Sequence, residues 1–222
     1  MIKKKKHEVT TIYVVRHGES QSNVYAHENP TKPASHFGEF GSSLTQKGKE
    51  QAHILAQKLK PISFSAFFSS DLNRAKETAA IIASYYNIPV VSNRIIRERF
   101  FGEPMSNEKK KIIEKALEKL TEEEKFAFKY FPNGESGHDV VNRFQKFLKE
   151  IAHKHKNKTI LIVSHGYIMR SFLIYAKFAK FDELRGVSIK NAGYFVIEID
   201  KNSFKIVDKH GITRNRGYDD EE

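Results

Sequence analysis

No cysteine occurs among the 222 residues. Disulfides, thiolate-held zinc and a thiol nucleophile are therefore excluded. No tryptophan occurs either. No apolar run approaches the roughly 18 residues that a membrane helix needs. The opening, MIKKKKHEV, is basic but lacks the apolar stretch of a secretory signal. The last two absences predict a cytoplasmic protein with no membrane partner. There is no repeat at a fixed period and no low-complexity linker, which predicts one domain over residues 1–222. Acid is in deficit: the net charge is +11. That excess favours anionic partners, from phosphate esters to nucleic acid. Much of it lies in KKKK at 3–6, KKK at 109–111 and KHKNK at 154–158, which read as solvated tail and helix surface. No arginine–aromatic module for RNA or DNA is visible, so no specific nucleic-acid partner is expected. A protein that binds duplexes through its lysines would show steep salt dependence. No interface stripe stands apart from the core pattern, which leaves a homo-oligomer open.

What is present alternates. TTIYVV (10–15) is β-branched and apolar and reads as a buried strand. LTQKGKEQAHILAQKLK (44–60) carries apolar residues at helical spacing and is followed by Pro61. FSAFF (64–68) reads as a strand, and DLNRAKETAAIIASYY (71–86) as a helix opened by a capping Asp71. IPVV (88–91) is a short strand, and 106–131 is helical and highly charged. HDVVNRFQKFLKEIAHKH (138–155) is a helix, KTILIV (158–163) a very apolar strand, and YIMRSFLIYAKF (167–178) a helix. GYFVIEID (193–200) and SFKIVD (203–208) form a closing hairpin. Strands alternating with helices predict an α/β fold with a mostly parallel sheet. Residues 94–137 read as an insertion at one end.

In an open parallel sheet, ligands bind outside the carboxyl ends of the strands. Arg16, His17 and Gly18 follow the first strand; Ser164, His165 and Gly166 follow TILIV. Ser69, Ser70 and Asp71 follow SAFF, with Arg74 in the first helical turn, and Glu98 lies in RIIRERFFG. Two strands thus end in His-Gly. If they are neighbours, two imidazoles face each other, with Arg16 and Arg74 pointing into the same space. Two guanidiniums suit a phosphoryl group. A histidine beside such cations stays neutral, because a like charge disfavours protonation. Neutral imidazole can attack phosphorus and form a phosphohistidine, dividing hydrolysis into two easier steps. A carboxyl group must then protonate the leaving oxygen, and Glu98 is the candidate. The cationic side chains can carry the charge, so neither metal nor cofactor is needed. His153 and His155, two apart on a helix, face different ways and are no metal pair.

These residues resemble the signatures of the histidine phosphatase superfamily, which contains cofactor-dependent phosphoglycerate mutase. VVRHGES (14–20) is similar to its first motif. LTQKGKEQA (44–52), SSDLNRAKETA (69–79), ERFFG (98–102), PNGESGHDVVNRF (132–144) and VSHG (163–166) follow in register, and Asn191 stands where a late asparagine is usual. The resemblance covers residues 10–200. It implies a three-layer α/β/α, phosphoglycerate mutase-like fold with the 94–137 insertion over the site. It implies His17 as the phosphorylated nucleophile and Glu98 as proton donor. Arg16, Arg74 and His165 would hold phosphoryl oxygens, assisted by Asn23 and the backbone at Gly166. Glu135 and Ser136 either line the pocket or cap the helix beginning near His138, and the resemblance favours the pocket.

The superfamily holds both phosphatases and mutases. A mutase must shield its phosphoenzyme from water. Here Ser22 replaces the mutase tryptophan, the FTGW pattern is missing between Asn23 and Leu44, and Phe101 replaces a substrate-contacting tyrosine. The mutases' paired arginines are not evident in the insertion. The sequence therefore predicts a metal-independent phosphomonoesterase acting on a small-molecule phosphate ester. A cofactor-dependent phosphoglycerate mutase and a non-catalytic anion- or phosphoprotein-binding module are the alternatives. Residues 24–43, with His27, His36, Phe37 and Phe40, form a long loop at the site mouth that either selects substrate or is only surface.

Overall fold

The computed structural model describes residues 8–29, 40–102, 107–181, 187–201 and 203–214. Six strands make one sheet: β1 (Val9–Arg16), β2 (Ala66–Ser69), β3 (Val90–Ser92), β4 (Thr159–Ser164), β5 (Val187–Asp200) and β6 (Ser203–Arg214). Their order is β3-β2-β4-β1-β5-β6. The first four are mutually parallel; β5 runs antiparallel to β1 and to β6. The helices are α1 (Gln21–Glu28), α2 (Gln46–Leu59), α3 (Asn73–Ala83), α4 (Asn107–Leu117), α5 (Glu122–Ala127), α6 (Gly137–Lys154) and α7 (Gly166–Tyr175). This is the expected α/β fold.

The layers follow from side-chain alternation along the central strands. Ile12 and Val14 of β1, with Ile160 and Ile162 of β4, join a core shared with α6 and α7. Val15, Leu161 and Val163, one residue out of phase, join the opposite core with α2 and α3. Strands buried on both faces need continuous apolar runs, which is what TTIYVV and TILIV supply.

Several elements differ from the sequence reading. Asp71 does not cap α3; the N-cap is Leu72. Asp71 instead accepts both forks of Arg97, at 2.6 and 2.7 Å. A charge pair across the chain outcompetes the local cap. The charged stretch 106–131 is two helices, because Thr121 makes a capping box with Glu124 and starts α5 afresh. The closing hairpin is longer than its apolar core, since β5 begins at Val187 and β6 runs to Arg214. Helix α1 lies where only a loop was expected; its apolar residues are too few to show a periodic face. Phe40 ends the long loop, its ring under the Arg97 guanidinium at 5.7 Å. His36 and Phe37 lie outside the described residues. Phe126 of α5 docks on Gly137, where a Cβ would stand 2.4 Å from the ring.

Candidate active site

The register of β1 on β4 pairs Arg16 with Ser164. The next residues, His17 and His165, are therefore brought together, with ring centroids 5.2 Å apart. Both are buried. The His17 amide donates to the Ser164 carbonyl at 3.1 Å, extending the ladder one step past the strand ends.

The His17 tautomer follows from its neighbours. Nδ1 lies 2.7 Å from the Gly18 carbonyl, which can only accept, so Nδ1 carries the proton. Nε2 then holds the lone pair and accepts from Arg74 Nε at 3.1 Å. Burial, then Arg74, then Arg16 hold the His17 pKa well below its ordinary value. His165 is also held far down, by burial first, then Arg74 and His17. Neither ring nitrogen of His165 has a hydrogen-bond partner among the described residues. Arg16 donates from Nη1 to the Ile189 carbonyl, while its buried Nε has no partner among the described residues. Burial lowers the pKa of both Arg16 and Arg74, and Glu98 partly opposes this in each.

Two buried imidazoles with depressed pKa values make folding pH-dependent. The unfolded chain takes up both protons below about pH 6.5, and the folded chain does not. Stability is then complete above that pH and falls below it. The limiting slope is about 2.7 kcal/mol per pH unit for two groups. Urea midpoints are expected to be flat from pH 8 to 7 and to fall steeply between 6 and 5. A slope of zero there would show that the imidazoles titrate normally.

Thr78 positions the loop. It accepts from the Gly18 amide at 3.0 Å and donates to the Arg74 carbonyl at 2.7 Å, coupling the two site segments. Its i+4 spacing from Arg74 was a signal that the sequence reading missed. Asn23 Oδ1 accepts from the Ser20 amide, the Ser20 hydroxyl and Asn191 Nδ2 at 3.1, 3.0 and 3.2 Å. Asn191 also donates to the His17 carbonyl at 3.1 Å. Gly166 begins α7, with His165 as its N-cap.

Glu98 is held at the start of α7. Its Oε2 accepts from the Tyr167 amide at 3.1 Å; its Oε1 accepts from Ile168 at 3.2 Å and Arg99 at 3.1 Å. It lines a cleft of 610 Å³ that also reaches Arg74, Phe100, Glu135 and Arg143. Glu135 lines this cleft as expected, but its carboxylate takes both forks of Arg143, at 2.6 and 3.0 Å. Ser136 caps α6 in a capping box with Asp139. The short polar residue before a helix outweighs the pocket reading there. Arg99, also missed from sequence, is buried and donates to the Glu135 carbonyl, the Tyr167 hydroxyl and the Phe128 carbonyl at 2.8, 2.8 and 2.9 Å.

The fold and site together describe an enzyme of phosphoryl-group chemistry: a neutral imidazole whose lone pair meets the Arg74 guanidinium, with the charge of Arg16 also acting on it and the Glu98 carboxylate in the cleft that Arg74 lines. The chain belongs to the histidine phosphatase superfamily (branch 1), whose family model matches residues 12–210. It is 29% identical over 212 residues to phosphoserine phosphatase 1 of Hydrogenobacter thermophilus, covering 93% of this chain and 94% of that one. It is 32% identical over 179 residues to a metal-independent phosphoserine phosphatase of Arabidopsis thaliana, covering 75% and 68%. Its fold matches a phosphoglycerate mutase from Bacillus anthracis with a TM-score of 0.72 at 22% identity, covering 92% and 94%. Among the described residues, no group of three or more His, Asp or Glu side chains could hold a metal, and no helix is long and apolar enough to cross a membrane.

Proposed function

We propose that this protein hydrolyses a small phosphate monoester through a phosphohistidine at His17, and that phosphoserine-like esters are its substrates. The observation that carries the reading is the His17 tautomer. Nδ1–H is fixed by a carbonyl, so the lone pair at Nε2 is aimed at the guanidinium that would bind a phosphoryl oxygen. Arg74 would exchange its bond to Nε2 for one to that oxygen, leaving Nε2 in line with phosphorus. The unpartnered nitrogens of His165 and Arg16 Nε would face the same group.

In the first step the Nε2–P bond forms and the ester P–O bond breaks. The leaving oxygen takes the proton of the Glu98 carboxyl. Oε2 accepts one amide and Oε1 two, so Oε2 has the freer lone pair to carry that proton. In the second step Glu98 takes a proton from water as the water oxygen attacks phosphorus. The N–P bond breaks, and phosphate and the starting enzyme are restored. The names of the two phosphatase relatives support the substrate class.

The test is phosphate release from phosphoserine, phosphoethanolamine, 3-phosphoglycerate and p-nitrophenyl phosphate, all with EDTA. A parallel run with 3-phosphoglycerate and 2,3-bisphosphoglycerate checks for isomerisation. Release despite chelation is expected; isomerisation without release would overturn the reading in favour of a mutase. In the same panel, Glu98→Gln is expected to slow phosphoserine by about 100- to 1,000-fold. It should spare p-nitrophenyl phosphate, whose leaving group needs little protonation. Equal losses on both would remove Glu98 from the acid role.

A further inference from the structure

A second cavity, of 280 Å³, opens between α5 and α7 and is lined by Arg99, Glu122, Lys125, Tyr130, Tyr167 and Arg170. Two of its three cations are committed. Lys125 donates to Glu122 at 2.7 Å. Arg99 spends Nε, Nη1 and Nη2 on two carbonyls and the Tyr167 hydroxyl. Arg170 has no hydrogen bond or ion pair among the described residues, although it is only partly exposed.

Its position matters. Gly166 and Arg170 are four apart on α7 and so share a face. A Cβ on Gly166 would stand 3.4 Å from Arg16 Nε, so that face is turned towards Arg16. The charge on Arg170 lowers the Arg16 pKa by more than Arg74 does. Glu98 acts on Arg16 in the opposite sense and more strongly, whereas Arg170 itself pairs with no anion among the described residues.

We propose that Arg170 binds a carboxylate on the substrate's leaving group, so that the enzyme selects esters carrying an acid a few bonds from the phosphate. This rests on the phosphatase reading above. A forked guanidinium matches a carboxylate in two parallel hydrogen bonds. Tyr130 and Tyr167 can add hydroxyl contacts, and the nearby Glu122 carboxylate favours a single negative charge over a second phosphate. Phosphoserine and 3-phosphoglycerate meet the requirement; phosphoethanolamine and p-nitrophenyl phosphate do not.

Arg170→Ala is expected to lower kcat/KM by about 10- to 100-fold for the two carboxylate esters. Phosphoethanolamine and p-nitrophenyl phosphate should change less than about threefold, since neither makes the contact. Arg170→Lys should recover part of the loss, and a melt confirms that both variants fold. A uniform loss over all four esters would overturn the subsite and leave Arg170 as a general source of positive potential. Calorimetric binding to His17→Ala protein separates this proposal from the phosphatase reading, since it needs no turnover. Phosphoserine should bind more tightly than phosphoethanolamine, and R170A should abolish the preference. If no ester is hydrolysed, the phosphatase reading fails while that preference still decides the subsite. Equal binding of the two, or tighter binding of propane-1,3-diol bisphosphate than of phosphoserine, would overturn the carboxylate assignment.

Discussion

His17→Ala is expected to lower kcat by about 10,000-fold or more while the protein still folds. The size follows from the role. In the proposed mechanism Arg74, Arg16 and His165 would still gather a phosphate, but no lone pair would remain in line with phosphorus, and binding without a nucleophile recovers little. The structural cost is small by comparison. His17 makes two side-chain hydrogen bonds, to the Gly18 carbonyl and from Arg74, and belongs to neither apolar core. Its removal also deletes one of the two groups that destabilise the fold in acid. The variant should therefore melt within a few degrees of the parent at pH 7.5 and resist pH 5 better than the parent. A second readout fixes the atom. Wild-type protein quenched in alkali during turnover should carry a phosphoramidate that acid releases, and His17→Ala should carry none. Turnover retained by a pure, folded His17→Ala protein would end the mechanism. A phosphoramidate still present in it would move the nucleophile to His165.

Gly48→Ala should lower the melting temperature by about 2–8 °C and kcat by about 100-fold. Two effects compete at this position. Gly48 lies in the first turn of α2, and alanine is the better helix former by about 1 kcal/mol. Helix propensity alone therefore predicts stabilisation. Packing opposes it. A Cβ at Gly48 would lie 1.9 Å from the Glu19 carbonyl oxygen and 2.9 Å from its amide nitrogen. Both are backbone atoms, so no side chain can swing aside, and the loop must move. Overpacking of this kind typically costs about 1–3 kcal/mol, and more where backbone is displaced. The steric term wins. The loop that moves is the one after His17, and it is fastened twice to α2. Thr45 donates its amide to the Glu19 carbonyl at 2.9 Å, and Lys47 pairs with the Glu19 carboxylate at 2.7 Å. A shift there is passed to the imidazole two residues away, and a misplacement near 1 Å can cost about 100-fold in rate. An unchanged or raised melting temperature would show that the contact relaxes freely.

Gly48 also illustrates what was legible. LTQKGKEQA could be recognised as a motif from sequence, but its glycine had no physical account until the close approach to Glu19 was seen. The two His-Gly strand ends were legible, because a buried strand that stops in an imidazole is conspicuous against an apolar run. Their pairing was conditional on β1 and β4 being neighbours, a fact that β-pattern cannot supply. Glu98 was legible as a carboxyl near a strand end, but not its three amide contacts, two of which come from α7. Arg99, Thr78 and Arg170 passed unnoticed. Each is a helix or loop residue of ordinary type: Arg99 has its partners in other segments, Thr78 joins the local Arg74 to the distant Gly18, and Arg170 is marked only by the cavity it lines. Asp71 was misread for the complementary reason: the cap rule is local, whereas Arg97 arrives from elsewhere in the chain.

Composition and short-range pattern determined that this chain builds an α/β fold without disulfides. They also placed two imidazoles and one guanidinium at its strand ends, and a second guanidinium in the first turn of the helix after β2. Apolar alternation and helical spacing act over a few residues, and burial is the dominant favourable term, so they suffice for the layers. Only the tertiary structure decided which strands adjoin and which histidine nitrogen holds the proton. It alone decided how Glu98 is anchored and where Arg170 stands. Those outcomes depend on contacts between residues dozens of positions apart, where register, burial and competing partners act together.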